Sequence, residues 1–126
     1  MRAFAPRAEQ NSLENPQRQL VPNGIILLQD VKFTAAFTPA IEVGWLLLRE
    51  HWSNGYATEG GRAALDYALT TMKLDEVVAL TAATNIPSQR VMQRLGMTHD
   101  PHDDFDHPHA LGTSLQRCVL YRIQHP

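Results

Sequence analysis

A run of alternating residues that is apolar on both of its faces constrains this chain most. In residues 41–48, Ile41, Val43, Trp45 and Leu47 point one way, while Glu42, Gly44, Leu46 and Leu48 point the other. Apart from Glu42, neither set carries a polar side chain, so the strand belongs inside a sheet covered on both sides. Residues 49–55 form a loop. A helical stripe of Ala57, Gly61, Ala64, Leu65, Ala68, Leu69 and Met72 then spans residues 56–73. A second apolar strand spans 77–83. Strand, helix and strand at this spacing make a βαβ unit whose strands run parallel. Gly60 and Gly61 each cost roughly 1 kcal/mol against alanine inside a helix. Something therefore passes close to the first helical turn, either a ligand or a packed element.

The flanking chain completes one mixed α/β (α+β) domain over residues 24–126. Residues 24–28 read as a strand, and 32–39 as a connection ending in Thr38-Pro39. A helix over 87–95 starts with proline and ends at Gly96, a natural position for a left-handed residue, with Met97 able to pack back on Met92. Residues 98–114 form a long loop rich in His and Asp, and 117–123 alternate as a final strand. Residues 1–23 are polar, lack periodicity, and read as irregular.

Bulk properties exclude several classes. With 126 residues and a net charge of −2, the chain has no polybasic character that would suit nucleic acid. No apolar run is long enough for a membrane span, and the lone Cys118 suits a reducing compartment, so the expected location is cytoplasmic.

The stretch Trp52-Ser53-Asn54-Gly55-Tyr56-Ala57-Thr58 joins the first apolar strand to the helix. A helix start offers unpaired N–H donors and the positive end of the helix dipole, and Gly55 leaves room for close approach. A diphosphate is the ligand such a geometry favours. There is neither a G-x-G-x-x-G run nor a lysine placed as in a P-loop.

Residues 42–59 closely resemble the coenzyme-A signature of the GNAT N-acetyltransferase superfamily, nearest to the branch of ribosomal-protein serine/alanine N-acetyltransferases. Gly55 and Ala57 fill the last two anchors of its Q/R-x-x-G-x-G/A loop. Ser53 stands where that branch often has glycine, and Trp52 replaces the usual Gln or Arg. Asn85-Ile86-Pro87-Ser88, continuing to Leu95-Gly96-Met97, is similar to the family's second motif.

The resemblance implies a GNAT-like acyl-CoA N-acyltransferase fold. It also implies direct attack of a primary amine on the thioester of acetyl-CoA, with no metal. Main-chain groups of Leu46, Leu47 and Leu48 would pair with the pantetheine. Ser53, Asn54, Gly55, Tyr56, Ala57 and Thr58 would hold the pyrophosphate, and Asn85 would contact the pantetheine arm. The family's frequent general-acid tyrosine falls at Met92, which cannot donate, so Ser88 is the replacement, or else a helix-capping serine. Glu42 is the candidate base, or else a carboxylate at the strand's solvated start. The run of His99, Asp100, His102, Asp103, Asp104, Asp106, His107 and His109 has no regular ligand spacing and reads as an acidic border to the acceptor site rather than a metal site. Relatives carry further elements before the position of Gly24. The chain is therefore expected to be an N-terminally truncated form whose strand at 24–28 is an exposed edge, paired in a homodimer. Two other readings stand beside an active acetyltransferase: a CoA-binding remnant without turnover, and an unrelated βαβ nucleotide-phosphate binder.

Overall fold

The computed structural model describes residues 17–21, 24–47 and 55–125. Its strands are β1 (Gln17–Val21), β2 (Gly24–Asp30), β3 (Ile41–Leu47), β4 (Glu76–Ala82), β5 (Thr98–His99), β6 (Phe105–Asp106) and β7 (Arg117–Gln124). They form one mixed sheet in the order β1-β2-β3-β4-β7-β5, with β6 also on β7. The helices are α1 (Tyr56–Asp66) and α2 (Ile86–Arg94). The βαβ unit is therefore β3-α1-β4, and its strands run parallel as the spacing requires.

The residues 1–23 expected to be irregular contain a strand. β1 pairs antiparallel with β2 from Gln17↔Leu28 to Val21↔Gly24. Its polar sequence carries no periodic signal, and the pairing comes from the apolar partner strand beside it, the kind of context that overrides local preference. The outer edge of β2, expected to be exposed and to drive dimerisation, is thus occupied by β1 from the same chain.

Alternation sorts the core. Ile26, Leu28, Val43, Val77, Ala79, Val119 and Tyr121 face the helices and pack with Ala64, Leu65 and Ala68 of α1 and Val91, Met92 and Leu95 of α2. The two helices touch where α1 has no side chain: a Cβ on Gly61 would lie 2.8 Å from Leu95 Cδ1. The close neighbour of that first turn is thus a packed helix. After Asp66, α1 widens into a π-helical turn over Tyr67–Thr71, with Met72 N–H donating to Tyr67 O at 3.0 Å. Lys73, at φ 56°, ends it.

On the opposite face, Val78 and Leu120 are fully buried. Register puts Phe105 opposite Cys118 on this face. Phe33, Phe37 and His107 gather on Phe105, with centroid separations of 5.9, 5.1 and 6.2 Å. Among the described residues, no helix is long and apolar enough to cross a membrane.

Candidate active site

The site begins at a fork. β3 and β4 share a single rung, Glu42↔Val78. Above it no further rung joins the strands, and a cavity of about 180 Å³ opens between the end of β3 and the starts of both helices. Trp45 and Leu46 line it from β3, Ala57 from α1, and Asn85, Ser88 and Val91 from the α2 side. Leu46 and Ile86 are unusually exposed for their size, at 64% and 47%. The cleft is therefore an apolar slot, rimmed by a few polar groups, which suits a narrow ligand with an apolar arm.

Asn85 is the N-cap of α2, and its Oδ1 accepts from Ser88 N–H at 3.2 Å. Capping thus falls to Asn85, and Ser88 keeps its hydroxyl for other work. Ser88 Oγ accepts from Trp45 Nε1–H at 3.2 Å. Helix α2 is tied down further along. Gln89 Nε2 donates to Ala83 O at 2.9 Å, and Tyr121 Oη donates to Gln89 Oε1 at 3.4 Å while accepting from Gln93 Nε2 at 3.3 Å. These bonds hold Ser88 against the cleft.

Helix α1 starts from Gly55, left-handed at φ 78°, a conformation that favours glycine. No side chain caps this end, and the first helical bond runs from Glu59 N–H to Gly55 O at 2.9 Å. The N–H groups of Tyr56, Ala57 and Thr58 precede it, and no backbone partner for them lies among the described residues. Thr58 Oγ1 is buried and has no hydrogen-bond partner among the described residues. An orphaned hydroxyl beside these N–H donors fits a diphosphate.

Glu42 stands at the vertex of the fork, and alternation turns it to the face opposite Trp45 and the helices. Burial pushes its carboxyl up to about 7, against the opposing pull of Lys32. Glu42 is half-buried on this face. Above Glu42 on the same face, a Cβ on Gly44 would meet nothing within 4 Å.

The structure thus brings Leu46, Ala57, Asn85 and Ser88 into one cleft, and sets Gly55, the first residue Tyr56 and Thr58 at the start of α1. Leu47 lies on β3 opposite Gly24. Leu48, Ser53 and Asn54 lie outside the described residues. Sequence reasoning missed Trp45, which reads as a plain core residue until α2 places Ser88 beside its indole N–H. Cys118 is buried, and burial and the charge of Asp106 raise its thiol above the ordinary value. The His and Asp residues of the long loop pair with their neighbours. His99 Nε2 meets Asp104 Oδ1 at 2.7 Å, His102 Nδ1 meets Asp100 Oδ1 at 3.0 Å, and Asp103 accepts from Arg122 at 3.0 Å.

Comparison with known proteins agrees with this geometry. The family model for the acetyltransferase (GNAT) domain matches residues 12–98. An uncharacterised N-acetyltransferase of Bacillus subtilis, YnaD, is 37% identical over 59 residues, covering 47% of this chain and 35% of its own length. The FsC-acetyl coenzyme A-N(2)-transacetylase of Aspergillus fumigatus is 37% identical over 62 residues, covering 49% of this chain and 26% of its own length. This chain thus matches about a third or less of these relatives. A GNAT-family acetyltransferase structure from Bacillus anthracis superposes with a TM-score of 0.65 and 28% identity, over 83% of this chain and 60% of that one. The chain belongs to the GNAT acetyltransferase family.

Proposed function

We propose that this chain transfers an acetyl group from acetyl-CoA to a primary amine. The observation that carries the reading is the single-rung fork, which parts two parallel strands beside an uncapped helix start and an apolar slot. The donor supplies an activated thioester, in which the new C–N bond forms as the C–S bond breaks.

The residues divide the work by position. Gly55 and the N–H groups opening α1 receive the pyrophosphate, with the unpartnered Thr58 hydroxyl as an added donor. Of the main-chain groups of β3 at Leu46 and Leu47, those turned away from β2 pair with the amides of the pantetheine arm. The Asn85 side chain keeps its amide N–H donors for the same arm, because only its oxygen serves the cap. Ser88 Oγ–H hydrogen-bonds the departing thiolate without giving up its proton, which would make too strong a base. Glu42 takes the amine's proton from the other face, where the space over Gly44 leaves room for the acceptor. A carboxylate held near 7 suits that task at neutral pH. The carboxylates of the long loop favour a cationic acceptor, though Asp103 and Asp106 are already offset by Arg122 and Arg117 and leave Asp100 and Asp104 for that role. The protons balance: a cationic amine gives one proton to solvent before it attacks and a second to Glu42 as the amide forms, the thiolate takes one from solvent, and the acetylated product and free thiol leave.

The test is release of free thiol from acetyl-CoA over a panel of amines, peptides and aminoglycosides. Glu42→Gln should lower turnover about tenfold to thousandfold, and Ser88→Ala about tenfold or more, with CoA binding retained. Wild-type turnover in either variant would remove that residue from the mechanism. No thiol release with any acceptor would sink the reading.

A further inference from the structure

The Trp45–Ser88 contact belongs to neither recognised motif. It joins β3 to α2 across 43 positions, at 3.2 Å between Nε1 and Oγ. Its direction needs no placed hydrogen, because an indole nitrogen is only a donor. Ser88 Oγ must therefore be the acceptor. A hydroxyl has one proton and two lone pairs, and with one lone pair turned to Trp45 the proton points away from the indole. Ser88 sits at the third position of α2, too early to donate back to a carbonyl within that helix. No bond from its proton to another described residue exists, and Ser88 lines the cleft together with Trp45.

The backbone that carries the serine is fixed, which leaves the Trp45 bond to select its side-chain rotamer. Its backbone N–H is held by Asn85 Oδ1, and the next residue, Gln89, is anchored to Ala83 O and Tyr121 Oη. Trp45 is fixed as well, partly buried and packed against the core that both helices share. The hydroxyl is thus oriented before any ligand arrives. An accepted hydrogen bond also polarises a hydroxyl and strengthens the bond it donates.

We infer that Trp45 is a positioning residue for the transfer step: its indole N–H occupies Ser88 Oγ and turns the serine's proton into the cleft, as a ready donor to the leaving thiolate. The inference rests on the acetyl-transfer reading above, but the Trp45–Ser88 bond can be read without turnover. No covalent bond is made to either residue, and Ser88 keeps its proton throughout.

Trp45→Phe keeps an aromatic ring and removes the Nε1–H donor together with part of the indole, so the Ser88→Ala background serves to separate the lost bond from the lost packing. The change should lower kcat roughly twofold to tenfold, the rate equivalent of one hydrogen bond, and leave the KM for acetyl-CoA nearly unchanged. In a Ser88→Ala background the same change should cost nothing further, because its target is gone. Equal losses in both backgrounds, or a loss confined to KM, would make Trp45 a packing residue and overturn the inference. The second arm uses the indole N–H resonance of 15N-labelled protein. The chain has two tryptophans, so Trp45→Phe assigns the signal. Ser88→Ala should move that resonance upfield; an unmoved resonance shows that no such bond exists in solution and overturns the inference. Thiol release that never appears in wild type defeats the acetyl-transfer reading, and with it the catalytic role of Trp45. A moved resonance beside absent turnover would assign the contact to packing alone.

Discussion

Strand β4 has two unlike neighbours. Towards β7, each residue from Glu76 to Ala82 faces a partner, from Gln124 to Cys118. Towards β3, only Val78 does, opposite Glu42. The continuous antiparallel ladder consumes its own backbone groups and buries Leu120 and Val78 completely. The ladder cut to one rung stops short of the cleft that Trp45 and Leu46 of β3 line, where the proposed ligand, with amides of its own, would take the place of the missing pairing. One strand thus separates the part of the sheet that holds the fold together from the part that is open to chemistry.

The most direct way to break that comparison is to remove an apolar side chain from each side. Leu120→Ala empties a fully buried site and should cost about 2–5 kcal/mol in urea unfolding. Leu46→Ala, on the open side and 64% exposed, should change stability by less than about 0.5 kcal/mol. It should nevertheless weaken the thermal shift produced by CoA. If Leu46→Ala destabilised as strongly as Leu120→Ala, the open side would be a second core.

A smaller effect should appear at the start of α1. Gly55→Val places a β-branched residue at φ 78°, where an L side chain costs about 1–2 kcal/mol or more. The penalty is conformational, since a Cβ there meets nothing within 4 Å. The variant should fold with a lower Tm and lose the CoA-induced rise in Tm. Gly55→Asn, which tolerates the left-handed region, should keep much of that rise. Loss of the shift in both would point to crowding of the ligand instead of a distorted helix start.

The closed side was far more legible in the sequence than the open one. Alternation in residues 41–48 and the stripe of Ala57, Ala64, Leu65 and Ala68 already imply the βαβ unit, because burial dictates those patterns and the structure obeys them. Gly96, at φ 84°, closes α2 as its position implied. Three features leave no such trace. β1 is polar and exists through its pairing with β2. The stripe continues beyond Asp66, yet the helix widens at Tyr67–Thr71, where the Thr70 hydroxyl also donates to Asp66 O. The fork itself is a missing set of hydrogen bonds, and periodicity does not encode which rungs are absent. For the site, Gly55, Asn85 and Ser88 were legible as motif positions. The capping role fell to Asn85, and the donor to Ser88 came from a residue whose alternation announces only the core.

The finest test of the contrast concerns the charge at its vertex. Glu42 has a folded-state carboxyl raised from 4.5 to about 7, chiefly by burial. Below 4.5 the group is protonated in both folded and unfolded chains, and its burial carries no charge penalty. Between 4.5 and about 7 the folded state retains a proton that the unfolded chain has released, so stability falls as pH rises. Above about 7 the penalty is complete. Glutamine carries no charge at any of these values. The Tm of Glu42→Gln minus that of wild type should therefore climb across this window and level off above it. Lys32 opposes the shift, so Lys32→Met should carry the climb to higher pH and make it larger overall by removing the favourable charge. In thiol-release assays, wild-type kcat/KM should rise with pH through about 7, and Glu42→Gln should lose that limb. A Tm difference that stays flat with pH would mean that water reaches Glu42 as freely as it reaches a surface carboxylate. The vertex of the fork would then be part of the solvated rim, and the base would have to be sought elsewhere on that face.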